Sequence, residues 1–356
     1  MPTDSERRIP SDDRYDRIVC ATCAWFLIGL FADGWSHYHD VRESFFTPYH
    51  AILYSGFFAN VLAIGIPLVR NVRAGYDWRR AVPPGYALSA VGIAIFTVGV
   101  LPDMLWHRIF GIEEGIDVLI SPTHLFLGVG MALILTGPLR AALARSPAPD
   151  TLEEQAPALI SLALFLAMLE FALQFAYDSG IVASEAPVRA LGGDASPLAF
   201  YLLPFTYYKQ AFGIAIIIIH AALFSGFSLY AARKFALKTG GLTLLLGLAS
   251  LLMSSLLSSG PLVAYVRVAE SVVTGIVADS LIGWLKPSLA RPLGFRVLAV
   301  AVPTVQYALM FLIAQLVLGG VWWNQNLALG SIFYAGIVGL LLSFLVVPST
   351  AQRTQE

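Results

Sequence analysis

Long apolar stretches alternate with short polar connections along the whole chain, and their lengths are its first informative feature. A helix needs about 20 apolar residues to cross the hydrocarbon core of a bilayer. Ten stretches fit that rule to within a few residues: 18–36, 48–69, 86–107, 120–141, 157–178, 201–231, 240–258, 261–285, 293–318 and 328–348. The pattern predicts an all-α integral membrane protein, a polytopic helical bundle of about ten transmembrane helices. It divides the chain into a polar segment at 1–17, four spans at 18–141, six more at 157–348 and a short tail at 349–356.

Composition agrees with the pattern. Hydrophobic residues make up 57% of the chain and charged ones 13%, with a mean hydropathy of +0.73. A soluble domain carries about twice that charge. The position of charge says more than its sum of −1. Arg70, Arg73, Arg79 and Arg80 follow the second span, Arg140 and Arg145 the fourth, Arg233, Lys234 and Lys238 the sixth, and Lys286, Arg291 and Arg296 the eighth. By the positive-inside rule these connections and both termini are expected in the cytoplasm, as for a bacterial inner-membrane protein. The other connections hold Asp40, Glu43, Glu113, Glu114, Asp117, Asp178, Glu185 and Asp194. The expected surroundings are lipid, and nothing in the charge pattern calls for nucleic acid.

An internal repeat then singles out the first four spans, read as two helical hairpins. The first copy runs Asp33-x3-His37, then Thr47-Pro48-Tyr49-His50. The second runs Asp103-x3-His107, then Ser121-Pro122-Thr123-His124, and in both a glycine follows six residues later, Gly56 and Gly130. The motif positions of these two units hold four of the six histidines. Residues four apart share a helix face, so each Asp-x3-His pair projects together from the end of its span. Thr or Ser followed by Pro is a helix-starting signal, which puts His50 and His124 in the first turn of the returning helix. Each hairpin can therefore converge one carboxylate and two imidazoles. Such a set suits copper(II), non-haem iron(II) or zinc, with positions left open for water or substrate. Ionisable residues inside a span are costly and tend to be functional; the competing reading is that the histidines only tie helices together.

The first copy, with Val41-Arg42-Glu43-Ser44-Phe45-Phe46-Thr47-Pro48-Tyr49 before its last histidine, resembles a membrane subunit of the particulate methane and ammonia monooxygenases, a family of membrane copper enzymes, over about residues 31–130. The resemblance implies copper at Asp33, His37 and His50, close to a second set at Asp103, His107 and His124. It implies oxidation of a small apolar substrate with O2. Asp103 stands where that family has Asn, and the second loop is longer. The family's subunit also has fewer spans and works with two partner subunits, whereas six further spans follow the motif region here. Partner subunits or a homo-oligomer are therefore expected alongside the possibility of independent action.

Further polar residues are candidates for supporting roles. His39, Asp40 and Glu43 adjoin the first copy, and Glu113, Glu114 and Asp117 the second. They are expected to orient imidazoles from behind, to form an acidic mouth, or simply to be solvated. Glu170 and Gln174 are four apart in the fifth span and are candidates to line the metal cavity. Cys20 and Cys23 are expected to pack a helix rather than to hold metal. His220, the Arg267 and Glu270 pair, and Asp279 are ionisable residues in later spans, with Trp322 and Trp323 expected as membrane-belt anchors. Two functions follow: a copper-dependent monooxygenase or a subunit of one, and a metal transporter or metal-handling and assembly protein that passes its ion inward through Glu170, His220, Glu270 and Asp279.

Overall fold

The computed structural model describes residues 12–39, 47–111, 115–176, 197–256, 261–317 and 320–347, and they are helical almost throughout. The helices are α1 (Asp13–Tyr38), α2 (Pro48–Arg73), α3 (Ala87–Phe110), α4 (Asp117–Ile120), α5 (Pro122–Leu135), α6 (Gly137–Ala144), α7 (Leu152–Ala172), α8 (Pro197–Lys234), α9 (Gly241–Leu256), α10 (Pro261–Leu285), α11 (Pro292–Leu316) and α12 (Gln325–Val346). Among the described residues, nine helices are long and apolar enough to cross a membrane, α5 and α6 together counting as one. The chain is an all-α polytopic membrane protein. In the apolar stretch at 240–258 the described residues form α9, 16 residues from Gly241 to Leu256, and residues 257–260 lie outside the described part. The start of α9 is fixed by a turn in which Gly240 adopts φ 96°, a conformation that glycine tolerates without strain.

The chain forms two compact units. The first comprises α1 to α7 with the last part of α9. Asp12 caps α1 by accepting a hydrogen bond from the Arg14 amide at 3.1 Å, so the helix begins five residues before its apolar stretch. In the α1–α2 hairpin a Cβ added at Gly56 would lie 2.6 Å from the Phe26 Cα, and one at Gly29 2.4 Å from the Leu53 Cα. Only glycine permits that approach. The α3–α5 hairpin crosses in the same way, with a Cβ at Gly130 falling 2.9 Å from the Gly92 carbonyl oxygen.

The two hairpins meet through equivalent residues. Phe26 and Phe96 each stand seven residues before their copy's aspartate, and their rings pack edge to face at 5.0 Å. Phe57 joins Phe96 at 4.6 Å. Helix α2 packs against α3, and its counterpart α5 against α1. Reciprocal contacts of this kind are what an approximate two-fold axis between the hairpins produces.

Helix α7 leans on α1 along much of its length. Cys20 donates to the Pro157 carbonyl at 3.1 Å, and Cys23 lies 3.4 Å from the Asn60 side-chain oxygen. Both thiols are buried and free, in keeping with a helix-packing role. At the end of this unit away from the motifs, Arg145 pairs with Asp13 and Asp16, and Tyr86 donates to Asp16 at 2.6 Å. Arg140 there bonds Gly85, Ser89 and Leu133.

The second unit comprises α8, the first part of α9, and α10 to α12. Its core includes Ile217, Tyr307, Met310, Phe311 and Trp323. Trp323 corrects an expectation: it is 4% exposed and packs on Phe311 at 5.8 Å, as a core residue rather than a membrane-belt anchor. Arg267 and Glu270 pair at 3.2 Å and both are buried. His220 is buried against Phe224.

Candidate metal centre

The sequence signals that start α2 and α5 also set the position of one imidazole each. Thr47 Oγ1 accepts from the His50 amide at 3.0 Å, and Pro48 opens the helix. Ser121 Oγ accepts from the His124 amide at 3.4 Å, and Pro122 opens that helix. The histidine three residues after the cap is thus held in the first turn. It faces the last turns of α1 or α3, where the aspartate and the other histidine share a face.

The distances from aspartate to histidine are the same in the two sets, and among the described residues only the second also brings its two imidazoles together. In the first, His50 Nε2 lies 3.3 Å and His37 Nε2 3.7 Å from the Asp33 carboxylate. In the second, His124 Nε2 lies 3.3 Å and His107 Nε2 3.7 Å from the Asp103 carboxylate. One ligand atom from each of Asp103, His107 and His124 lies within 4.8 Å of the other two. A tetrahedral ion with bonds of about 2.0–2.1 Å separates its ligands by about 3.3–3.4 Å, and these spacings sit at or a little above that.

Hydrogen bonding behind the imidazoles distinguishes the sets. His124 Nδ1 is 2.6 Å from the Val118 carbonyl oxygen. A carbonyl can only accept, so Nδ1 carries the hydrogen, and in the neutral ring Nε2 presents a lone pair. That lone pair faces Asp103 Oδ1, which is buried and has no hydrogen-bond partner. Two acceptors face each other, and a cation between them, a metal ion or a second proton on the ring, resolves the conflict. In the first set His50 Nδ1 meets the Thr47 hydroxyl at 3.2 Å. A hydroxyl can donate or accept, so either tautomer of His50 is compatible with it. Two imidazoles and a carboxylate suit a borderline transition ion, and the chemistry of this donor set fits such an ion with positions left open.

The remaining candidates fall into three groups. Glu43, Glu113 and Glu114, with Asp40, lie outside the described residues. His39 is exposed; its ring stacks on Trp35 at 3.9 Å and its Nδ1 meets the Trp35 carbonyl at 2.9 Å. Glu170 is buried, next to Phe171, whose ring packs on Phe31 and against Gly34 beside Asp33. Gln174 is also buried, but α7 ends at Ala172 and Gln174 begins a 3-10 turn. The shared helical face expected for Glu170 and Gln174 is therefore not kept.

The structure extends the repeat beyond the six ligands. Both copies read Phe-x2-Gly-x3-Asp-x3-His, through Phe26 and Gly29 in one and Phe96 and Gly99 in the other. The identical spacing was the signal for it, and the ring contact and close crossings give it a physical reason. Tyr54, four residues after His50, stacks on that ring with centroids 5.9 Å apart. Comparisons with protein-family models, with curated proteins and with solved structures return no match.

Proposed function

We propose that the protein is a membrane metalloprotein holding copper, with iron and zinc as the other ions to test, at Asp33, His37 and His50 and at Asp103, His107 and His124. The observation that carries this reading is the buried Asp103 oxygen facing a lone pair on His124. Burying a carboxylate without compensation is costly, and a divalent ion compensates it while leaving both imidazoles neutral. The chain's residues would hold the ion at the ends of four helices and keep apolar helix surface around it. Copper, when bound, supplies a redox-active centre with open coordination positions. On the motif resemblance, the reaction is oxidation of a small apolar substrate with O2, in a bacterial inner membrane. With the arginine- and lysine-rich connections and the N-terminus in the cytoplasm, both sets face the extracytoplasmic side.

The transport reading has less support. Both oxygens of Asp279, expected to pass an ion inward, already accept hydrogen bonds: from the amides of Gly240, Leu242 and Thr243 at 2.9–3.1 Å and from the Thr243 hydroxyl at 2.7 Å. It caps the start of α9.

Asp103→Asn separates a metal from a proton. With a metal, the substitution lowers metal content and reduces the rise in thermal midpoint that added copper(II) gives the wild type, while the stripped protein becomes no less stable. An unchanged metal content, or a wild type that binds no ion by elemental analysis, would falsify the reading.

A further inference from the structure

Tyr54 occupies a place that the repeat does not duplicate. It stands four residues after His50, and the residue four after His124 is Gly128. A Cβ added at Gly128 would meet only the Met168 Cε, at 3.7 Å. One tyrosine therefore serves a pair of otherwise matched sets.

Its reach follows from the register of α2 against α3. The contact between Phe57 and Phe96 fixes that register. Helix α2 runs away from the ligands and α3 runs towards them. Tyr54 lies one turn nearer the ligands than Phe57, and Asp103 two turns nearer than Phe96. Side chains on a helix lean towards its N-terminus, which for α2 is the ligand end. A tyrosine side chain spans about one further turn of about 5.4 Å, so the hydroxyl comes level with Asp103. The ring belongs to the first set by stacking on His50, and the helix register carries the hydroxyl to the level of the second.

We propose that Tyr54 is a positioning residue shared by both sets, its ring steadying His50 and its hydroxyl supporting Asp103 across the boundary between the hairpins. The inference rests on the metal reading above and deepens it: the two sets are not independent, because a side chain of the first hairpin tunes the second. Groups behind a metal ligand typically change affinity by about 10- to 100-fold when removed, and a shared one does so on both sides.

The test isolates each set in the full-length protein. With His37→Ala and His50→Ala, only the second set remains; with His107→Ala and His124→Ala, only the first. Tyr54→Phe keeps the ring and removes the hydroxyl. Titration with copper(II) by competition is expected to show second-set affinity falling about tenfold with Tyr54→Phe, while the first set stays within about twofold. Tyr54→Leu, which removes the ring as well, is expected to weaken the first set too. The copper(II) paramagnetic spectrum of the second set is expected to shift with Tyr54→Phe, a change that a merely packed ring would not give. If second-set affinity and spectrum are both untouched by Tyr54→Phe, this inference falls alone. If the wild type binds no copper, the metal reading falls and this one with it.

Discussion

The two hairpins match in the distances from carboxylate to imidazole, but among the described residues only the second brings all three groups within 4.8 Å of one another. In each, the aspartate lies 3.3 Å from the imidazole across the hairpin and 3.7 Å from the one four residues on. Twelve residues separate the two histidines in the first copy and sixteen in the second, so the extra loop does not disturb the set. What it alters is the group behind the last imidazole. The longer connection includes the short helix α4, whose Val118 carbonyl fixes the His124 ring. In the first hairpin the Thr47 hydroxyl of the helix cap meets His50 Nδ1 at 3.2 Å. Helical spacing thus brings each carboxylate to its two imidazoles, and in the second hairpin α4 adds a carbonyl behind the last ring.

The largest effect is expected from removing one set entirely. His107→Ala with His124→Ala should reduce bound metal by one ion per chain, and His37→Ala with His50→Ala by one more, read by elemental analysis of purified protein. A protein that keeps its full metal content after either pair of changes would show that the sets are not where the ion sits.

The approach of each aspartate to its two histidines was legible in the sequence because it depends on local rules: four residues make a helical turn, and Ser or Thr before Pro starts a helix. The span pattern was legible because hydrophobic length is a near-direct reading of bilayer thickness. Contacts between distant parts of the chain were not. Nothing local marks Phe57 as a neighbour of Phe96, since that contact depends on the register of α2 against α3. Trp323 resembled an interfacial anchor because a tryptophan at the end of a span has that composition whether it faces lipid or a core. Asp279 read as an ion relay until its four hydrogen bonds to the start of α9 were seen.

A second group of changes tests whether the close crossings set the ligand geometry. Gly56→Ala would push a methyl to within 2.6 Å of the Phe26 Cα, and Gly130→Ala to within 2.9 Å of the Gly92 carbonyl oxygen. Overpacking of this kind costs about 1–3 kcal/mol. Thermal unfolding in detergent should place Gly56→Ala below Gly130→Ala, and each should weaken the metal set of its own hairpin. Gly65, with nothing within 4 Å of an added Cβ, is the control, and Gly65→Ala should leave both readings alone.

Orientation of the imidazole should then separate the intact sets. With each set isolated, the second is expected to bind copper(II) about tenfold more tightly than the first, because His124 is already held in the tautomer a metal needs. Equal affinities would mean that the Val118 contact contributes nothing to binding.

The smallest effects come from the two caps, and they divide the hairpins most finely. Replacing a Ser or Thr cap with Ala costs about 0.5–2 kcal/mol of stability, so Thr47→Ala and Ser121→Ala should both lower the thermal midpoint. Their consequences for metal should differ. The Thr47 hydroxyl touches His50 Nδ1 as well as the His50 amide, so its loss should weaken the first set by a few-fold, and Thr47→Ser should restore it. Ser121 meets the amide of His124 and the Thr123 hydroxyl, each at 3.4 Å, while the His124 ring is tied to Val118. Ser121→Ala should therefore leave second-set affinity unchanged while the helix start loosens. A parallel loss of affinity in both variants would trace the effect to the helix start itself, and the distinction between a cap that orients a ligand and a cap that only ends a helix would disappear.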